Sequence, residues 1–226
     1  MPSPLDVAKG GCFITGIGTG VGKTWTSAAM LGHARARGIK AAGMKPVASG
    51  CEWRGGEWRN ADAELLLAHS MPGLSYRRLN RYAFARAVSP HIACGEEKVE
   101  APLILQDYAA VRRQAEWVLV EGAGGWFSPL GPDLDNAGLA AALGLPVIVV
   151  VGLYLGCINH ARLTLAAVWQ SGLDCAGWVA VELSPAWPEA DQTLVYLRAA
   201  LPPPLLARLP FSPQADFNDL ALEFAD

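Results

Sequence analysis

The sequence predicts an α/β fold, a single domain whose mostly parallel sheet is covered by helices on both faces. Three observations carry this. Short apolar runs alternate with longer, breaker-poor runs along the chain. The short runs are apolar at successive positions, as in Pro146 to Val151, which suits strands buried on both faces. A glycine-rich turn, Gly16 to Gly22, joins a short apolar run to an alanine-rich one.

The elements follow in order. Residues 1–10 read as a loose tail, and Cys12 to Thr15 as the first strand. Lys23 to Arg37 is a helix: it lacks breakers and ends on basic residues followed by Gly38. Ile39 to Met44 gives a second strand. Pro46 to Asn60, rich in Gly, Ser, Trp and Arg, reads as a surface loop, and Ala61 to His69 as a short helix. Met71 to Pro102 shows no dominant period. Leu103 to Ala115 is a helix, and Trp117 to Glu121 a strand leading into Gly122-Ala123-Gly124-Gly125. Helices at Leu134 to Leu143, His160 to Gln170 and Glu189 to Leu201 alternate with strands at Pro146 to Val151 and Cys175 to Val181. The prolines at 202–204 stop the last helix before a final strand, Leu205 to Leu209. No linker or repeat divides residues 1–226.

Bulk properties exclude several classes. With 52% hydrophobic and 17% charged residues, the chain has the composition of a packed domain, not a disordered one. A net charge of −3 gives no electrostatic reason to expect nucleic acid, and Arg77, Arg78, Arg81 and Arg86 read as a solvated face. No stretch approaches the roughly 20 apolar residues that span a bilayer, and no apolar leader precedes Cys12. The 5 cysteines are scattered without a C-x-x-C pair, which argues for packing roles in a reducing cytoplasm.

The sharpest local signal is Gly16-Ile17-Gly18-Thr19-Gly20-Val21-Gly22-Lys23-Thr24, a P-loop one residue longer than the common G-x-x-x-x-G-K-[ST] string. Its glycines let backbone N–H groups converge on phosphate oxygens at a helix N-terminus. Lys23 would reach the β- and γ-phosphates of ATP, and the Thr24 hydroxyl would ligate Mg2+. Lys45, in Met44-Lys45-Pro46-Val47-Ala48-Ser49-Gly50, follows the second strand, at the sheet edge where ligands sit in parallel α/β folds. It is placed to bring a second ammonium to a transferring phosphoryl group, with the Ser49 hydroxyl nearby. Asp62 opens the short helix and Glu121 ends a strand, so Thr24, Asp62 and Glu121 offer magnesium three hard oxygen ligands. Gly156-Cys157-Ile158-Asn159-His160 precedes a helix whose free N–H groups suit a carboxylate. Cys157 and His160 lack an orienting third group and do not read as a nucleophilic pair, and His91 in Ser89-Pro90-His91 reads as a loop anchor.

Taken together and in this order, G-x-G-T-G-V-G-K-T, K-P-V-A-S-G, R-N-A-D, S-P-H, V-E-G-A-G-G-W-F and L-G-C-I-N-H resemble the dethiobiotin synthetase family, over residues 11–183. The resemblance implies an ATP-dependent closure of a urea ring on 7,8-diaminopelargonate with CO2, as a homodimer with the active site at the interface. It implies Lys45 and Lys23 as catalytic lysines. It assigns nucleotide to Gly20, Val21, Gly22, Lys23, Thr24, Trp25, Asp62, Glu121, Gly122, Ala123, Gly124 and Pro210. It assigns the diamine to Thr19, Ser49, Gly124, Gly156, Cys157 and Asn159, the last three from the partner subunit. Three departures stand out: Gly18 or Gly20 where the family often has an acidic residue, Tyr154 where some relatives have a lysine, and Val181 for an asparagine that reads adenine. An amidotransferase-linked synthetase of the cobyrinate type would need a glutaminase domain for which the chain has no room. The alternative of a different class is a ParA/MinD-like ATPase switch. That reading wants a lysine early in the loop, where Ile17 stands, and a basic face or amphipathic tail, where residues 216–226 are acidic.

Overall fold

The computed structural model describes residues 1–185, 187–212 and 217–224. A six-stranded sheet forms the centre. Its strands are β1 (Gly11–Gly16), β2 (Ala41–Met44), β7 (Trp117–Gly125), β10 (Val147–Leu153), β11 (Cys175–Glu182) and β12 (Leu205–Leu209), in the order β12-β11-β10-β1-β7-β2. Every pairing in it is parallel. Alternation along each strand sends side chains to two apolar layers. Phe13, Val120, Val149 and Ala180 pack on one face under α6 (Ala101–Arg112), α7 (Asn136–Leu143), α8 (Cys157–Gln170) and α9 (Ala190–Ala200). Ile14, Leu119, Val150 and Val181 pack on the other under α1 (Pro4–Val7), α2 (Lys23–Ala36), α3 (Ala61–His69) and α10 (Phe217–Leu222). The predicted α/β class and two-faced cover therefore hold.

Several expectations are corrected. Residues 1–10 are not a loose tail: Ser3 caps α1, Leu5 and Ala8 are buried, and the Ser3 hydroxyl meets the His33 ring at 3.0 Å. The surface loop expected over residues 46–60 contains β3 (Val47–Ser49), paired in parallel with β6 (Tyr82–Phe84), and a hairpin of β4 (Glu52–Arg54) and β5 (Glu57–Arg59). The hairpin turns at Gly55-Gly56, whose φ values of 62° and 87° suit a tight reversal between strands. The unreadable stretch 71–102 holds α4 (Tyr76–Leu79), β6 and α5 (Pro90–Ala93). These elements are too short to show a period. Arg81 does not face solvent freely but pairs with the buried Asp107. A small antiparallel pair, β8 (Pro129–Gly131) and β9 (Leu134–Asp135), precedes α7, which starts at Asn136 because Asp135 caps it by accepting from the Gly138 N–H at 2.7 Å. Helix α8 starts at Cys157, earlier than expected. Of the acidic tail, residues 217–222 form α10, and residues 216, 225 and 226 lie outside the described residues. No helix among the described residues is long and apolar enough to cross a membrane.

Candidate active site

The carboxyl ends of the parallel strands face a cleft of about 800 Å³. The P-loop between β1 and α2 forms its floor. Gly22, with φ 91°, is the N-cap of α2 and approaches Val181 so closely that an added Cβ would lie 2.7 Å from Val181 Cγ1. Glycine is required there on both counts. Lys23 is buried and its Nζ donates to the Gly18 carbonyl at 2.8 Å. Burial lowers its pKa to about 8, with Lys45 adding to the fall and Glu121 and Asp62 opposing it.

Lys45 stands just beyond β2, and its ammonium donates to Asp62 and, at 2.8 Å, to Glu121 Oε1. Burial opposes its charge, but Glu121 and Asp62 outweigh that and hold its pKa above the ordinary lysine value. Glu121 is fully buried and accepts two further bonds, from Thr24 Oγ1 at 2.8 Å and Ser27 Oγ at 2.7 Å. Asp62 is 44% exposed at its side chain, so it is the arm of the cluster open to a ligand. The two carboxylates thus flank one cation, the Lys45 ammonium, and the Thr24 hydroxyl bonds the same Glu121 oxygen that the ammonium does. Among the described residues no three His, Cys, Asp or Glu side chains form a metal cage. The oxygen set present suits a hard cation that takes its remaining ligands from phosphate and water, which is how Mg2+ is commonly held.

Sequence-derived residues divide by position. Thr19, Gly20, Gly22, Lys23, Thr24, Trp25, Lys45, Ser49, Asp62, Ala123 and Gly124 line the cleft. Val21 and Glu121 lie beneath it, and Pro210 gives way to its neighbour Phe211, which does line it. Gly122 is buried against Asn136, whose Oδ1 would sit 2.6 Å from an added Cβ. Gly156, Cys157 and Asn159 are not in this cleft; they form the exposed turn into α8 after β10, on the same sheet edge, with Cys157 buried beneath. Burial pushes the Cys157 thiol up, and His160 meets the Tyr154 hydroxyl instead, at 2.7 Å.

Other residues of the site escaped sequence reasoning. Ser27 has no motif of its own; its place one helical turn after Lys23 is the signal that could have found it. Asn136 clamps the Gly122–Gly125 turn, donating to the carbonyls of Ala123 at 2.8 Å and Gly125 at 2.7 Å. Asn60 caps α3 by accepting from Ala63 N–H at 3.2 Å, and its Nδ2 donates to Ser49 O at 3.3 Å. Behind it, the Tyr76 hydroxyl accepts from Asn60 N–H at 2.7 Å and donates to Asn80 Oδ1 at 2.9 Å.

Fold and site together define a P-loop enzyme that binds ATP at the carboxyl edge of a parallel sheet. A family model described as an AAA domain matches residues 10–218. The chain is 49% identical over 206 residues to the ATP-dependent dethiobiotin synthetase BioD of Xanthomonas axonopodis pv. citri, covering 90% of this chain and 92% of that protein. It is 45% identical over 203 residues to the protein of the same name from Xylella fastidiosa, covering 89% and 90%. The chain belongs to the dethiobiotin synthetase family. Among solved structures, the MinD cell division protein of Aquifex aeolicus superposes with a TM-score of 0.57 at 14% identity, covering 93% of this chain and 86% of that one. The signal recognition particle receptor FtsY of Elizabethkingia anophelis gives 0.53 at 13%, covering 95% and 64%. At such identities these two share the fold alone, and the switch alternative gains nothing further from them.

Proposed function

We propose that this chain uses ATP and CO2 to close the urea ring of dethiobiotin on 7,8-diaminopelargonate, with release of ADP and phosphate. The observation that carries the reading is the Lys45 ammonium, buried between Asp62 and Glu121 beside the P-loop, where Glu121 also takes the Thr24 hydroxyl. One substrate amine adds to CO2 and loses its proton, giving a carbamate. A carbamate oxygen takes the γ-phosphoryl group and ADP leaves. The second amine then attacks the carbamoyl carbon and expels phosphate. The substrate supplies both nucleophiles, so the protein contributes position and charge.

The P-loop N–H groups and Lys23 hold the β- and γ-phosphates. Lys45 stabilises charge on the phosphoryl group in flight, and the two ammonium groups disfavour the protonated form of the reacting amine. Thr24, Asp62 and Glu121 would hold Mg2+, which when bound neutralises charge on the phosphates. Ser49 and Thr19 contact the diamine and its carbamate, and Gly124 lets that chain lie close to the backbone. The distal carboxylate meets the Gly156–Asn159 turn of a second copy. Leu155, 91% exposed, and the exposed Phe127 and Leu163 support burial of that edge in a homodimer. We place the enzyme in the cytoplasm, where its reduced cysteines belong, with no nucleic-acid or membrane partner.

An assay of ATP hydrolysis with and without the diamine and bicarbonate, alongside detection of dethiobiotin, tests the reading. Phosphate release should require both additions; release indifferent to either refutes it.

A further inference from the structure

Strand β2 ends at Met44, so the sheet does not hold the backbone of Lys45. Two residues of the α4 segment do. Lys45 N–H donates to Leu79 O at 2.9 Å, and Asn80 Nδ2 donates to Lys45 O at 2.7 Å. The orientation of the Asn80 amide follows from this: a carbonyl only accepts, so the nitrogen faces Lys45 and Oδ1 is left for a donor. The Tyr76 hydroxyl is that donor, and its lone pair accepts the N–H of Asn60, the N-cap of the helix that carries Asp62. Tyr76, Asn80 and Asn60 are all at least nine-tenths buried. The Arg59 guanidinium lies 3.8 Å from the centre of the Tyr76 ring, on the side of the hairpin.

A continuous chain of hydrogen bonds therefore runs from the backbone of Lys45 through Asn80 and Tyr76 to the start of α3. Lys45 and Asp62 come from separate elements, and this chain sets one against the other from behind the cleft. We propose that Tyr76 and Asn80 are a positioning pair that fixes the Lys45 ammonium in register with Asp62 and so serves phosphoryl transfer without touching nucleotide. The proposal rests on the reading of Lys45 given above. Neither residue reaches the cleft lining, so the pair acts on turnover and not on affinity. Buried groups in such a network have no water to replace a lost partner.

Tyr76→Phe keeps the ring under Arg59 and removes only the hydroxyl. Expected is a loss of tenfold or more in kcat with the KM for ATP unchanged within about threefold. The magnesium concentration for half activity should rise in the same sense as for Asp62→Asn. Combined with Lys45→Gln, Tyr76→Phe should add no further loss, because it acts through that lysine. Asn80→Ser, which leaves Tyr76 in place and cuts the link to Lys45, should show the same kcat-selective loss and serves if Tyr76→Phe does not fold. A folded Tyr76→Phe or Asn80→Ser protein with wild-type kcat overturns the proposal, as do losses that multiply in the Lys45→Gln background. A wild-type protein that forms no dethiobiotin overturns the functional reading and the pair with it; active wild type with normal variants overturns the pair alone.

Discussion

At the β2 end of the cleft, Lys45, Asp62, Glu121, Thr24 and Ser27 are bonded to one another, whereas at the β11 end the walls are Val181, Leu183 and Phe211. The sheet order explains what each end faces. The P-loop follows β1; β7 and β2 lie to one side of it, β10 and β11 to the other. With strands about 4.8 Å apart, a triphosphate on the loop would put its γ end toward Lys45 and its base two strands away, near Val181. Alternation places Val181 on the same sheet face as Val21 of the loop. Glu182 stands at the rim with its carboxylate taken by Arg208 Nε at 2.7 Å. The polar end can distinguish a transferring phosphoryl group from other arrangements of charge. The apolar end can hold a flat ring but offers few side-chain hydrogen bonds to tell one base from another.

Lys45→Gln should break the polar end most severely. Losing a preorganised charge there costs on the order of 3–5 kcal/mol of barrier, a hundredfold or more in kcat, while glutamine retains a donor for Glu121. Steady-state turnover of the folded variant above a tenth of wild type would mean that the ammonium is only structural.

Asp62→Asn and Glu121→Gln should each raise the magnesium required for half activity. Glu121→Gln should also lower the melting temperature, because the buried Lys45 would lose its innermost charge partner. Titration curves that overlay wild type would remove the carboxylate concerned from the metal site.

Protonation sharpens the same contrast more gently. Lys23 has a pKa of about 8 in the free protein, and phosphate binds its charged form. Nucleotide affinity should therefore hold below that pH and fall by roughly tenfold for each unit above it, with proton uptake on binding near pH 8 measurable by calorimetry in buffers of different ionisation heat. For stability the signs differ. The lowered Lys23 costs stability while both states are protonated, and the cost fades as pH rises above about 8. The raised Lys45 contributes stability below the ordinary lysine value and loses it as pH climbs through its folded pKa.

The smallest effect belongs to the apolar end. ATP, CTP and GTP should differ by no more than about tenfold in kcat/KM, and Val181→Asn, whose amide can make a bidentate base contact of roughly 1–3 kcal/mol, should widen the gap. Rates with the three nucleotides at equal magnesium decide it. A preference for ATP above a hundredfold in the unmodified protein would show that Glu182, Ser184 or backbone near Pro210 reads the base instead.

Much of this cleft was legible because its residues sit on long elements or in motifs tied to one chemistry. The P-loop, the bounds of Ala61–His69 and the gathering of Lys45, Asp62 and Glu121 at one sheet edge follow from strings whose spacing is set by strand ends and helix starts, whereas the direct pairing of Lys45 with both carboxylates does not. The supporting residues were not legible. Tyr76 and Asn80 lie in a segment of four-residue helices, where no period can develop, and their partners are backbone groups distant in sequence. The hairpin was missed for a different reason: W-R-G-G-E-W does carry a turn signal, but its polar content suggested a loop.

That hairpin has a consequence for how the enzyme tolerates change. Its neck is closed by the bond from Asn60 Nδ2 to Ser49 O, so residues 50–59 form a tied-off excursion between two positions that line the cleft. Its charged edge is moored to α3 by Arg54 and Arg59 on Glu64, while Trp53 points outward, 61% exposed, at a glycine tip. Lengthening a closed surface loop costs little entropy, and exposed tips accept insertions best. Residues 55–56 are therefore a graft point, where a peptide or a fluorophore could be spliced in without moving Ser49 or Asn60.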